Sequence, residues 1–218
     1  MTSKRSSSAA VLLKRGVKPW HFLNGEERAN SKLVKREAVL EAAATEFNER
    51  GYHNTSVDDI ARRLNVSKPT IYYYVGKKEE ILYETQRGLL DSRRLKTLSN
   101  ISKLKTGAER LHWVINNWSK QICTEVGMAY VRVPDVELSP EVRAEIRKHK
   151  REVHGILVGI LELGVRDGSL KVSDPKLTAF LLAGAMNSIG VWYEPGRGWT
   201  SSRIAKQLSK LVSEGLGA

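Results

Sequence analysis

F-N-E-R-G-Y-H-N-T-S-V-D-D-I-A-R-R-L-N-V-S-K-P-T-I-Y-Y-Y-V-G-K-K-E-E-I-L, residues Phe47 to Leu82, decides the fold, because it fits two short helices and a tight turn into the spacing of a helix-turn-helix. Ser56 with Asp59 has the form of a capping box that starts a helix at Val57, and Ile60, Ala61 and Leu64 then share one face. Asn65 stands where the chain must turn sharply, and Asn is among the few residues that tolerate a left-handed backbone. Ser67 is the next N-cap. Pro69 fits the first turn of the following helix, where its missing N–H costs nothing, and Ile71 is placed to meet Ile60 and Leu64. Lys68, Thr70, Tyr72, Tyr73 and Tyr74 remain as polar or amphipathic groups on a very short helix. Such a helix buries little, so its sequence is better explained by what its outer face touches. A recognition helix inserts its N-terminal residues into the DNA major groove, and duplex DNA is the first partner expected.

Composition agrees with a helical globular protein. The chain has 218 residues, 41% hydrophobic and 28% charged, enough for a small domain joined to a larger one. No apolar run approaches the ~20 residues that cross a bilayer, so no membrane role is expected. The single cysteine, Cys123, falls in an apolar-patterned helix and reads as a small buried side chain, consistent with a reducing cytoplasm. The net charge of +12 is unevenly spread, since residues 1–36 hold nine Lys or Arg against Glu26 and Glu27. Residues 1–33 therefore read as a basic flexible arm, either a solvated charge run or a segment lying on DNA phosphates or the minor groove. Trp20, His21 and Phe22 fit a purely disordered arm poorly and suggest packing on the protein.

The expected fold is all-α. A first helix runs over 34–50, with Val39, Leu40, Ala43 and Phe47 on one stripe and Gly51 ending it. A longer helix spans about 77–98, and Thr106 with Glu109 forms a second capping box for a helix to about Thr124. Glu125 to Leu138 reads as a short helix plus a loop. Ser139-Pro140 starts a long helix ending near Asp167-Gly168, Asp174-Pro175 starts another through Trp192, and Ser201 to Gly215 is the last. These elements suggest a helix-turn-helix domain at 34–80 and a second helical domain at 81–218. Small residues from Ala179 to Gly190, with the apolar stripe Ile204, Leu208, Leu211 and Val212, predict more apolar surface than one chain covers, hence a homodimer through the last two helices.

The stretch around the two short helices resembles the TetR-type (TetR/AcrR) family of bacterial transcriptional regulators. The resemblance runs through Phe47, Gly51, Tyr52, Thr55, Asp59, Ile60, Ala61, Val66, Ser67, Thr70, Ile71, Tyr72, Tyr73, Lys78, Glu79 and Leu82. Val75 departs from it, standing where the family usually has Phe. The resemblance implies a three-helix DNA-binding domain joined by a fourth helix to a ligand-binding and dimerisation domain. It implies DNA contacts from Thr55, Lys68, Pro69, Thr70, Tyr72, Tyr73, Tyr74, Lys77 and Lys78, the last two at phosphates of a palindromic operator. It also implies a small-molecule effector held in the second domain. Residues 184–216 further resemble the subset that responds to acyl-coenzyme A, with the regulator acting as a repressor of a lipid-related operon.

Chemistry elsewhere is sparse. Trp113, Trp118, Met128, Met186 and Trp192 lie on different helices and are the expected lining of an effector pocket, although core residues would look the same. Arg143, Arg147, Lys148, Lys150 and Arg151 form a basic run that could neutralise a coenzyme A phosphate or simply face solvent. None of the five histidines has metal-ligand spacing, Glu109 with His112 being only half of a carboxylate-bridged site, and no nucleophile or phosphate-cradling loop is present. No cofactor, no metal and no enzymatic activity are expected. The competing reading is a small-molecule-binding or enzymatic helical protein whose basic arm serves an anionic partner other than DNA.

Overall fold

The computed structural model describes residues 25–216, which form nine α-helices and one short 3-10 turn at Asp135–Glu137. The helices are α1 (Gly25–Arg50), α2 (Val57–Leu64), α3 (Lys68–Tyr74), α4 (Lys78–Ile101), α5 (Gly107–Ile122), α6 (Glu125–Arg132), α7 (Pro140–Arg166), α8 (Pro175–Trp192) and α9 (Ser201–Leu216). The chain divides into two compact units between Thr85 and Gln86, so the boundary falls inside the continuous helix α4.

In the first unit, α1, α2 and α3 pack on one another around Val39, Ala43, Phe47, Ile60, Ile71, Ile81 and Leu82, all essentially buried. The turn between α2 and α3 follows from Asn65, which adopts φ 57° and ψ 45°, its N–H directed at the carbonyls of Ala61 and Arg62. Both halves of the Ser56–Asp59 capping box form. The Asp59 carboxylate also accepts from Arg62 at 2.8 Å and Arg50 at 3.0 Å. The Ser56 hydroxyl first, then its backbone N–H and the two arginines, hold Asp59 well below the usual carboxylate range. Ser67 is the N-cap of α3, but its hydroxyl lies 2.8 Å from that of Thr70 instead of accepting from the backbone. Helix α1 starts at Gly25 and not at Val34, and the sequence hides that start because residues 25–33 carry no apolar stripe. The arm therefore gives up its last residues to α1. Residues 1–24, with Trp20, His21 and Phe22, lie outside the described residues.

In the second unit, α5 packs against α7, α8 and α9 and carries the buried Leu111, Val114, Ile115, Trp118 and Ile122. Its start is fixed twice. Thr106 and Glu109 form the capping box, and Asp167 from the end of α7 accepts from the N–H of Gly107 at 2.8 Å. A Cβ on Gly107 would lie 2.2 Å from the backbone of Gly164, so only glycine permits this approach of α5 to α7. Asp174 caps α8 through the N–H of Leu177 at 2.9 Å.

Candidate functional site

Helix α3 has seven residues and buries one of them, Ile71, under α2. Lys68, Pro69, Tyr72 and Tyr73 are exposed, while Thr70 and Tyr74 are half-buried. The rings of Tyr73 and Tyr74 meet edge to face at 5.0 Å, and Lys32 lies 5.4 Å from the Tyr73 ring centre. Lys68 pairs with Asp58 at 2.7 Å, a contact that raises its pKa and ties the start of α3 to the start of α2. Lys77, exposed, precedes α4, and its backbone N–H donates to the carboxylate of Glu80 at 2.7 Å. Phenol, ammonium and hydroxyl groups thus share one short exposed helix behind a rigid turn, the chemistry that reads base edges and phosphates.

Two residues of the expected DNA set have other tasks. Thr55 is buried, and its hydroxyl lies 3.2 Å from the carbonyl of Glu46 and 2.9 Å from that of Gly51. It is a positioning residue for the α1–α2 turn. Lys78 directs its ammonium at the carbonyls of Tyr52 at 2.9 Å and Thr55 at 3.0 Å, and sits 4.3 Å from the Tyr52 ring centre. The expected phosphate contact meets a lysine already engaged in holding α4 to that turn. Sequence spacing could not reveal this, since it depends on a loop some two dozen residues earlier folding back onto α4.

The expected effector lining is only partly assembled. Trp118 borders a small cavity with Arg93, Arg94, Val114, Gln121 and Leu157, whereas Trp113, Met128 and Met186 line neither that cavity nor the one beside Leu111 and Leu170. Met128 and Met186 are fully buried packing residues. Trp192 is half exposed and meets Trp199 edge to face at 6.3 Å, at the end of α8. Of the basic run on α7, Arg143 donates to the carbonyls of Asp135, Val136 and Leu138, and Arg147 and Lys150 pair with Asp135 at 3.3 and 3.4 Å. These three fasten the 3-10 turn to α7. Glu109 completes the α5 cap and His112 is exposed, which dissolves the half-site suggested by their spacing. Among the described residues no cluster of His, Cys, Asp or Glu could hold a metal ion, and no helix is long and apolar enough to cross a membrane.

Sequence reasoning missed Arg93. It is 3% exposed on α4, its Nε donates to Gln121 at 3.2 Å, and its guanidinium lies 4.4 Å from the Trp118 ring centre and 5.0 Å from that of Tyr130. Burial pushes its pKa down to about 10. Its neighbour Arg94 reaches Glu152 only at 4.0 Å.

A helix-turn-helix unit followed by a helical domain defines a class of DNA-binding regulators. Residues 39–85 match the family described as bacterial regulatory proteins, tetR family, and residues 104–216 match the tetracyclin repressor-like C-terminal domain. The chain belongs to the TetR family of transcriptional regulators. It is 27% identical over 192 residues to the HTH-type transcriptional repressor KstR2 of Rhodococcus jostii strain RHA1, covering 87% of this chain and 94% of that one. It is 24% identical over 188 residues to the fatty acid metabolism regulator protein of Bacillus subtilis strain 168, covering 85% and 97%. The crystal structure of AibR in complex with isovaleryl coenzyme A and operator DNA superposes with a TM-score of 0.71 at 23% identity, covering 81% and 97%, a likeness of fold.

Proposed function

We propose that this regulator is a homodimeric repressor that releases its operator when an acyl thioester or related lipid intermediate enters the second unit. The observation that carries the DNA half is α3 itself, a helix that buries only Ile71 and leaves Tyr72, Tyr73, Lys68 and Pro69 exposed behind the Asn65 turn. Lys68 and Lys77 then neutralise phosphates, and Thr70, Tyr72 and Tyr73 read the groove. Dimerisation is supported by the stripe Leu177, Leu181, Gly184, Ser188 and Val191, exposed along one face of α8 at alternating spacings of four and three. One recognition helix covers few base pairs, and a two-fold partner places a second about one DNA turn away. The effector class is supported by the relative that regulates fatty acid metabolism and by the AibR fold accommodating isovaleryl coenzyme A. The regulator has no catalytic task and works in the cytoplasm, where its operator lies.

Helix α4 is the lever in this reading, since one unbroken helix carries Lys78 at one end and Arg93 towards the other. An effector shifts the equilibrium only if it binds the DNA-free state more tightly than the DNA-bound one. The test is a titration of the operator-bound protein with straight-chain acyl-coenzyme A esters, read by DNA release and tryptophan emission together. Release tracking the emission change supports the reading. If no thioester releases DNA, the effector class is wrong and the DNA-binding regulator alone stands.

A further inference from the structure

Helix α1 reaches back to Gly25, but its buried apolar stripe, Val39, Ala43 and Phe47, lies in its second half. In the first half Lys32 and Leu33 are exposed. That half is nevertheless fixed in place, because Lys35 is buried and Arg36 pairs with Glu84 of α4 at 2.5 Å. Lys32 stands one turn before Arg36, and its ammonium lies 5.4 Å from the ring centre of Tyr73 on α3. Tyr73 is itself exposed and braced edge to face by Tyr74 at 5.0 Å. An exposed contact between an ammonium and a ring contributes little stability, and the ring face takes none of the three N–H donors as a hydrogen bond. Those donors stay available to an anionic acceptor beside α3. The surrounding sequence favours one, since residues 1–36 hold nine Lys or Arg against Glu26 and Glu27.

We infer that the first half of α1 is a second DNA-contact element, in which Lys32 donates to a backbone phosphate at the edge of the groove that α3 enters, with the Tyr73 ring setting the direction of its side chain. The inference rests on the DNA half of the proposed function and extends the contact surface from the helix-turn-helix to α1. A lysine ammonium is a compact charge on a flexible stem, suited to a phosphate that is near but not in line with the recognition helix. Such a contact carries no base information and fixes the orientation of the protein on the duplex. Because α1 also carries Val39, Ala43 and Phe47 of the core around Ile71, a phosphate held at Lys32 orients the unit from a second helix while α3 reads the bases.

The experiment measures duplex affinity of the full chain against salt concentration for wild type, Lys32→Ala and Lys32→Arg, on selected operator and on random DNA. Lys120→Ala, which removes an exposed lysine of the second unit, is the control for lost net charge. Lys32→Ala is expected to weaken binding about tenfold for each protomer bound at about 50 mM salt, on both duplexes alike, and to lower the salt slope by about one for each protomer. Lys32→Arg should restore most of the affinity, and urea unfolding should be the same in all variants because the side chain is exposed. An operator set with single phosphates replaced by neutral methylphosphonates then locates the contact: at one position per half-site the replacement should weaken wild type and leave Lys32→Ala unaffected. A Lys32→Ala protein with wild-type affinity and salt slope, or with no more loss than Lys120→Ala, overturns the inference. A loss confined to particular base pairs also overturns it, by making Lys32 a base reader. Wild type that binds no duplex removes the DNA reading itself, whereas normal wild-type binding with an unchanged Lys32→Ala removes the α1 contact alone.

Discussion

Two cations, one in each unit, show how differently the halves of this molecule are finished. Lys78 in the first unit donates to the Tyr52 and Thr55 carbonyls and covers the Tyr52 ring, so its charge is spent on holding the turn beneath the recognition helix. Arg93 in the second unit is buried between two rings with its terminal nitrogens unmet. The same contrast extends to Arg63, half-buried beside Glu46 at 2.6 Å and also bonded to Glu49. The cations of the first unit are met by protein carbonyls and carboxylates, whereas the second unit buries a guanidinium held by two aromatic rings and one amide oxygen.

Substitutions test that contrast directly. Lys78→Met should lower stability by about 1–3 kcal/mol in urea unfolding, because it strands two carbonyls that now accept from a charged donor. If stability is unchanged but affinity for all duplexes falls and the salt dependence flattens, Lys78 is a phosphate contact and not a structural cation. Tyr72→Ala should leave unfolding unaffected, since the ring is exposed, and cost about 1–3 kcal/mol on some operator variants and not on others. Uniform loss on operator and random DNA would move Tyr72 to backbone positioning.

Asp59→Asn should cost about 1 kcal/mol at neutral pH by weakening the α2 cap. The folded pKa of Asp59 lies below its unfolded value, so its contribution is complete above pH about 4 and fades as the pH falls further. Wild type and variant should therefore converge in acid, and parallel pH curves would show that the carboxylate charge contributes nothing. Arg93→Met has the smallest expected effect without ligand, under about 1 kcal/mol or a slight gain, because the relieved desolvation offsets the lost ring and Gln121 contacts. A loss of several kcal/mol would make Arg93 a structural cation like Lys78 and erase the contrast.

The first unit was legible in the sequence because its signals are local: a capping box over Ser56 to Asp59, a left-handed Asn65, and Pro69 within the first turn of α3. What hid there was set by chain folding back, as with the burial of Thr55 and the reach of Lys78 to the Tyr52 carbonyl. The second unit's helices were equally readable, down to the Thr106–Glu109 cap, but its site was not. Large apolar residues cannot be sorted from sequence into lining and packing, so Met186 went inward and Trp192 outward. Arg93 beside Arg94 reads as an ordinary solvated pair, and only the approach of Trp118 and Tyr130 from other helices buries it.

Operator recognition by this regulator rests on sequence-specific DNA binding through α3. The most direct measurement selects bound fragments from genomic DNA and then compares affinity for the recovered sequence and for random duplex at one salt concentration, in wild type and Tyr72→Ala. A recovered palindrome with half-sites about one turn apart, bound about 1,000-fold or more tighter than random DNA, with the ratio shrinking in Tyr72→Ala, is the expected result. Equal affinity for selected and random duplex, or no enriched sequence at all, would contradict it.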